Sequence, residues 1–242
     1  MVKHVLLDNV SHKNLKVRTG YQPGHGYDAN VARGFPAELC QLQREYPLFF
    51  IKDPASGHFE TIALLGFSEG ENLYLDASGW DAEYVPLSVQ RQPFLIGFQT
   101  QEVDGMPTQV PVMHIDLDHP SVNETAGEAL FLPHGGLSPY LEQIESILGT
   151  IHQGHEASRS FSQVLVGLEL IESLKVEVQF GDGTLQALEG LYKIDENKLR
   201  GLSANALEIL HKKDYLRDIY LMLASLQNMP RLIEKKNCRL AP

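Results

Sequence analysis

A histidine and a carboxylate two residues apart carry the sharpest chemical signal in this chain. His114-Ile115-Asp116 lies in the apolar run Val110 to Leu117 (VPVMHIDL), whose alternation predicts a strand. On a strand, residues i and i+2 point to one side, so His114 and Asp116 share a face. A third ligand from His134, His152 or His155 would complete the two-histidine, one-carboxylate set of non-haem iron, 2-oxoglutarate-dependent oxygenases. The same alternation has a plainer meaning. Met113, Ile115 and Leu117 take the core side, which leaves His114, Asp116 and Asp118 on the face where polar groups belong. An oxygenase of that type also encloses its metal in a barrel of many strands, and the second half of this chain reads as helical. The expectation is therefore no metal centre, with His114 and Asp116 as the alternative, and no cofactor is assigned.

Other reactive constellations are thin. His152 and His155 are three apart on a predicted helix, with Glu156 adjacent, so they share a face suited to metal or proton transfer, or simply a solvated one. No G-x-S-x-G elbow, Walker loop or dinucleotide fingerprint occurs; Gly20 to Gly26 (GYQPGHG) is rich in glycine without their spacing and reads as a loop. Cys40 has no histidine neighbour and reads as a thiol packed in the core. With Cys238 it forms no CxxC pair, so two free thiols are expected rather than a zinc site or a bridge.

The densest recognition chemistry falls in residues 79–94 (GWDAEYVPLSVQRQPF). Trp80, Tyr84, Arg91 and Phe94, joined by Tyr46 and Tyr74, could line a pocket or a partner-binding face. Guanidinium groups stack on rings and grip carboxylates, and aromatic residues and Arg dominate binding hot spots. The competing role for the same residues is packing of the sheet, with Arg91 paired to a local acid.

These side chains need elements to hold them. Pro36 to Glu45 reads as a short helix opened by Pro and ended before Pro47. Leu48–Lys52, His58–Gly66 and Asn72–Asp76 read as three adjacent strands of an antiparallel meander. Phe94–Gln99 and Val110–Leu117 add two more. Ser138-Pro139 opens a helix from Tyr140 to about Ile171, with an apolar stripe through Leu141, Ile144, Ile147, Leu148 and Ile151, and a break or kink is expected near Gly149 and Gly154. Leu174–Phe180, the turn Gly181-Asp182-Gly183 and Thr184–Ile194 form a hairpin. Two closing helices start at Ser203 and Asp214, the second with Leu216, Ile219, Tyr220, Leu223 and Leu226 on one apolar face. The fold class is α+β: an antiparallel, β-rich half to about residue 135, packed with a helical half from about 136 that contains the hairpin. No linker separates them, so a single domain over residues 1–242 is expected.

Composition narrows the partners. The chain is 43% hydrophobic and 21% charged, enough to bury a core. A formal charge of −11 argues against nucleic acid, which needs clustered Lys and Arg. The cluster Lys235, Lys236 and Arg239 reads as a solvated tail. No run approaches the roughly eighteen apolar residues of a membrane helix, and Val5-Leu6-Leu7 is too short for a signal-peptide core, so a cytoplasmic location is expected.

Several blocks resemble the bacterial SapC family. They are Tyr46-Pro47, Ala63-Leu64-Leu65-Gly66, Glu69-Gly70-x-Asn72-Leu73, Gly79-Trp80-x-x-x-Tyr84-Val85-Pro86 and Arg91-x-Pro93-Phe94. Later come Gly127-Glu128-x-Leu130-Phe131, Asp195-Glu196-x-Lys198-Leu199 and Ile219-Tyr220-x-x-Leu223-x-Ser225-Leu226-x-Asn228. The resemblance implies an association with surface-layer genes, outer-membrane receptors and flavin-dependent halogenases, and no catalytic residues. It implies an acid at position 116 without a histidine at 114, which weighs against the iron site.

The leading expectation is thus a non-catalytic binding or accessory protein that holds a protein or peptide partner, or a small ligand, through Trp80 to Phe94. The iron oxygenase is one alternative. A homo-oligomeric scaffold joined through the C-terminal helices is another.

Overall fold

The structure is a computed structural model that describes residues 3–103 and 106–240. In chain order the elements are β1 (His4–Leu6), β2 (Lys16–Val17), β3 (Val31–Arg33), a 3-10 turn at Pro36–Glu38, α1 (Leu39–Leu42), β4 (Leu48–Lys52), β5 (Phe59–Leu64), β6 (Leu75–Asp76), β7 (Gly79–Trp80), α2 (Leu87–Gln90), β8 (Phe94–Val103), β9 (Met106–Asp116), β10 (Val122–Asn123) and β11 (Glu128–Ala129). The second half carries α3 (Pro139–Gly167), β12 (Ile171–Ser173), β13 (Val176–Gln179), β14 (Leu185–Leu188), β15 (Leu191–Ile194), α4 (Glu196–Arg200), α5 (Ala204–Lys212), α6 (Tyr215–Ser225) and α7 (Met229–Leu240). The architecture is α+β, with antiparallel sheets and a long helix in the second half, as the sequence patterns predict.

The central sheet has the order β12-β15-β4-β5-β3, and every pairing is antiparallel. Leu48-Phe49-Phe50 is buried without interruption because β4 sits mid-sheet with both faces covered. It pairs with β5 from Leu48↔Ala63 to Lys52↔Phe59, and the turn between them is tied by the Asp53 carboxylate, which accepts from the Ala55 amide at 3.0 Å. The expected meander is corrected here. The neighbour of β5 is β3, and the other neighbour of β4 is β15, more than a hundred residues away in sequence. Residues 72–74 do not extend the sheet. The buried Asn72 amide replaces the ladder, donating to the Tyr27 carbonyl at 2.8 Å and accepting from the Tyr74 amide at 2.9 Å. Only Leu75–Asp76 forms a strand, paired to Gly79–Trp80 in a two-residue ladder.

Strands β8 and β9 form a long ribbon in register from Phe94↔Ile115 to Val103↔Met106, and β1 pairs with β9 only at its base. Helix α3 packs along both cores. Its Ser138 cap accepts from the Leu141 amide at 3.2 Å, and Pro139 occupies the first turn. It runs 29 residues, so about 43 Å. The expected break is absent, because Gly154 is used for packing: a Cβ there would lie 2.8 Å from the Phe35 ring. Leu141 to Ile151 join a cluster with Phe35, Phe94 and Ile115, whereas Phe161 and Leu165 join the larger cluster built on the central sheet. The helix therefore bridges the two cores, and it crosses between them at Ile151 to His155.

The C-terminal region departs from the sequence reading in three ways. The hairpin ends at Leu188, Gly190 takes a positive φ of 74°, and Leu191–Ile194 turns away into the central sheet. A helix over Met229–Leu240 follows α6, and Lys235, Lys236 and Arg239 on it are docked rather than a solvated tail. Lys236 pairs with Glu71, Lys235 pairs with Asp81 and lies 4.9 Å from the centre of the Tyr74 ring, and Arg239 donates to the Leu75 carbonyl at 2.6 Å. In α6, Tyr220 faces outward, 59% exposed, and the buried face is Asp218, Ile219, Met222 and Ser225. Ser225 accepts from the Leu48 amide at 3.0 Å, and Asn228 donates to the carbonyls of Gln43 and Tyr46 at 2.9 and 3.2 Å, so the end of the chain locks onto β4 and α1. Both thiols are free, and Cys40 is exposed rather than packed in the core. Among the described residues no helix is long and apolar enough to cross a membrane.

Candidate functional site

Two glutamates, Glu38 buried and Glu45 half-buried, hold the aromatic segment. Glu45 accepts from the amides of Glu83 and Tyr84, both at 3.0 Å. Glu38 accepts from the Tyr84 hydroxyl and the Leu87 amide at 2.9 Å each, and from the Phe35 amide at 3.1 Å. Burial pushes the Glu38 carboxyl up to about 7, against the pull of those hydrogen bonds. The Tyr46 hydroxyl accepts from the Trp80 indole at 2.8 Å and donates to the Tyr84 carbonyl. Tyr74 stacks obliquely on Tyr46, with centroids 4.6 Å apart, and donates to the Glu45 carbonyl at 2.8 Å. Tyr46 and Tyr74 are fully buried; Trp80 and Tyr84 are half-buried against the same cluster.

This bonding fixes the start of α2 on Glu38, and α2 in turn sets Arg91. Arg91 does not point into the aromatic cluster. It lines a cleft of about 630 Å³ bounded by β3 and β5 of the central sheet, α2, the base of the ribbon and α3. The walls are mostly aliphatic, with Ile62, Ile96, Leu148 and Ile151 among them, and Phe98 at the ribbon side. Two guanidiniums, Arg33 and Arg91, and two imidazoles, His152 and His155, share the lining with the Gln92 amide. No Asp or Glu lines it.

The two guanidiniums differ in their pairing. Arg33 is engaged by Glu60 at 2.8 Å. Arg91 donates through Nη1 to the Phe94 carbonyl at 2.7 Å and has no carboxylate partner within 4.0 Å among the described residues. Burial, with a smaller push from the Arg33 charge, lowers the pKa of Arg91 below the usual guanidinium range. His155 lies edge-on to Phe35, centroids 5.1 Å apart; burial and then Arg33 hold its imidazole below the ordinary histidine range, so it is neutral near pH 7. The site thus presents one guanidinium without an acid beside apolar walls.

Of the residues singled out from the sequence, Arg91 lines the cleft. Tyr46, Tyr74, Trp80 and Tyr84 form the frame behind α2, and Phe94 is buried at the ribbon base, 6.2 Å from Tyr140 between ring centroids. His152 and His155 reach the cleft from one face of α3, as their spacing predicts. Arg33 was not singled out. Its only signal is that it ends the alternating run Val31-Ala32-Arg33, whose partner strand is not evident without the fold.

His114 and Asp116 sit on β9 opposite Leu95 and His4. The His114 ring covers Gly97 of the neighbouring strand, where a Cβ would come within 2.1 Å of it, so this face of the ribbon has room for an imidazole because position 97 is glycine. Asp116 accepts from the Asp118 amide at 3.0 Å in the turn that follows. Among the described residues no three His, Cys, Asp or Glu side chains gather with metal-binding geometry, and His134, His152 and His155 do not complete a set with His114 and Asp116.

A family model described as SapC matches residues 7–232. No curated protein and no solved structure matches.

Proposed function

We propose, from the premise that this chain belongs to the SapC family, that it is a binding or accessory protein whose working surface is the cleft at Arg91. The observation that carries this reading is a half-buried guanidinium that faces a hollow and lacks an acid. A desolvated charge without a partner is costly in a purely structural role, and a ligand would supply the partner. Concave, largely apolar sites of about 300–1,000 Å³ with a few polar groups are where proteins hold small molecules or short peptide segments. In this reading Tyr46, Tyr74, Trp80, Tyr84 and Phe94 contribute as the frame that sets Arg91.

The test is binding of a neutral, polarity-sensitive dye. The unmodified protein is expected to bind it saturably. Ile96→Trp, which places an indole in the cleft, and Ala29→Trp, at the exposed rim of the same cleft, are expected to abolish that binding while circular dichroism stays unchanged. Dye binding unaffected by both folded variants would remove the cleft as the working surface. A second reading, pairing of the C-terminal helices with another copy, draws on the exposed Leu207, Ile209 and Tyr220. A concentration-independent monomer in light scattering removes it.

A further inference from the structure

We infer that the cleft selects organic monocarboxylates: one carboxylate taken by Arg91, on an apolar body laid along Ile96, Leu148 and Ile151. This inference rests on the cleft being the binding surface.

The charge pattern points to a single negative charge. The chain holds 31 acidic against 20 basic residues, yet the cleft lining carries two arginines and no acid. Glu60 already neutralises Arg33. His155, held neutral near pH 7 by burial and by Arg33, offers a hydrogen bond and no charge. Of the two guanidiniums, that leaves Arg91 without a carboxylate. A dianion such as a phosphate monoester would bring a second negative charge into a half-apolar site with nothing to meet it. A neutral alcohol would leave the guanidinium unmatched.

The donor geometry points to a carboxylate. Arg91 commits one Nη1 bond to the Phe94 carbonyl, and that bond orients the planar group. An arginine has five N–H donors, so the remaining ones can form the paired bonds that carboxylates accept.

The shape of the walls points to an extended apolar body. A smaller hollow of about 250 Å³ lies between the ribbon and α3 and shares Ile96, Leu148 and His152 with the main cleft. Pro111, Val112 and Met113 line its ribbon side, so the apolar surface continues away from Arg91. Glu145 lines this second hollow, which leaves Arg91 as the end suited to an anionic head group.

The test displaces the neutral dye with decanoate, decanol, decyl phosphate and a short apolar peptide carrying either a free or an amidated C-terminus. Decanoate is expected to displace the dye at about tenfold lower concentration than decanol, the discrimination expected of one charge-assisted contact. Decyl phosphate should be no better than decanoate. Arg91→Gln should collapse the preference for decanoate over decanol, and Arg91→Lys, which keeps the charge without the fork, should restore part of it. The peptide pair tells the source of the carboxylate: free peptide stronger than decanoate assigns it to a chain terminus, and decanoate stronger assigns it to a small acid. Equal potency of decanol and decanoate, preference for decyl phosphate, or a preference that survives Arg91→Gln would overturn the inference while the dye still reports the cleft. Absence of saturable dye binding to the unmodified protein would instead overturn the cleft reading beneath it.

Discussion

Glu38 is the hinge between the aromatic frame and the cleft, and its titration is measurable. The residue is 2% exposed, and its carboxylate accepts three hydrogen bonds, from Phe35, Tyr84 and Leu87. Burial nonetheless raises its pKa from the ordinary 4.5 to about 7. The folded state therefore holds a proton in the window between those values that the unfolded chain has released. Stability from this group is full below the unfolded value and is lost as pH rises towards the folded one. At 1.36 kcal/mol per pH unit the loss is roughly 3 kcal/mol. Glu38→Gln removes the titration and keeps the shape. Relative to the unmodified protein, the variant should gain about 3 kcal/mol between pH 4.5 and pH 8. Its starting point should be lower by about 1–3 kcal/mol, because the amide nitrogen meets a backbone N–H where an oxygen accepted before. Urea unfolding of both proteins across that range, with the difference in ΔG plotted against pH, isolates the single group. Two parallel curves would refute the burial argument.

Other consequences follow from individual contacts. Gly154→Ala should destabilise the protein by about 1–3 kcal/mol in denaturant, because the new methyl meets the Phe35 ring at 2.8 Å; Gly149→Ala, with nothing within 4 Å, should be neutral or stabilising. Ser225→Ala strips the buried Leu48 amide of its acceptor and should cost about 1–3 kcal/mol by the same assay. Cys40 and Cys238 are both free and exposed, so a thiol reagent should titrate two groups in the native protein without denaturant.

How much of this was legible in the sequence depends on whether the cause was local. The long helix was readable because its cap, its proline and its apolar stripe are all within the segment. The hairpin pair β4–β5 was readable because a turn cluster separates two apolar runs. Strand order was not, since β15 and β3 reach the sheet from opposite ends of the chain and carry no mark of their neighbours. Asn72 looked like part of a strand, and only the fold shows its amide standing in for the ladder. Lys235 and Lys236 looked like a solvated tail because their partners, Asp81 and Glu71, are 154 and 165 residues upstream. The glycine at 154 suggested a weak helix, whereas its role is to admit a ring from another element.

The site was readable to the same degree. Arg91 stood out among aromatics, but whether an acid answers its charge is a tertiary fact. The cleft is assembled from elements far apart in sequence, and Arg33 gained its meaning only when β3 was placed beside β5. The aromatics proposed as a contact surface build the support behind α2, through hydrogen bonds to Glu38 and Glu45 that no spacing rule anticipates.

The most direct measurement is a crystal structure of the chain grown with saturating decanoate. The account predicts the carboxylate within hydrogen-bond distance of the Arg91 guanidinium and the alkyl chain between the ribbon and α3. A vacant cleft, or a decanoate bound elsewhere with Arg91 untouched, would contradict it.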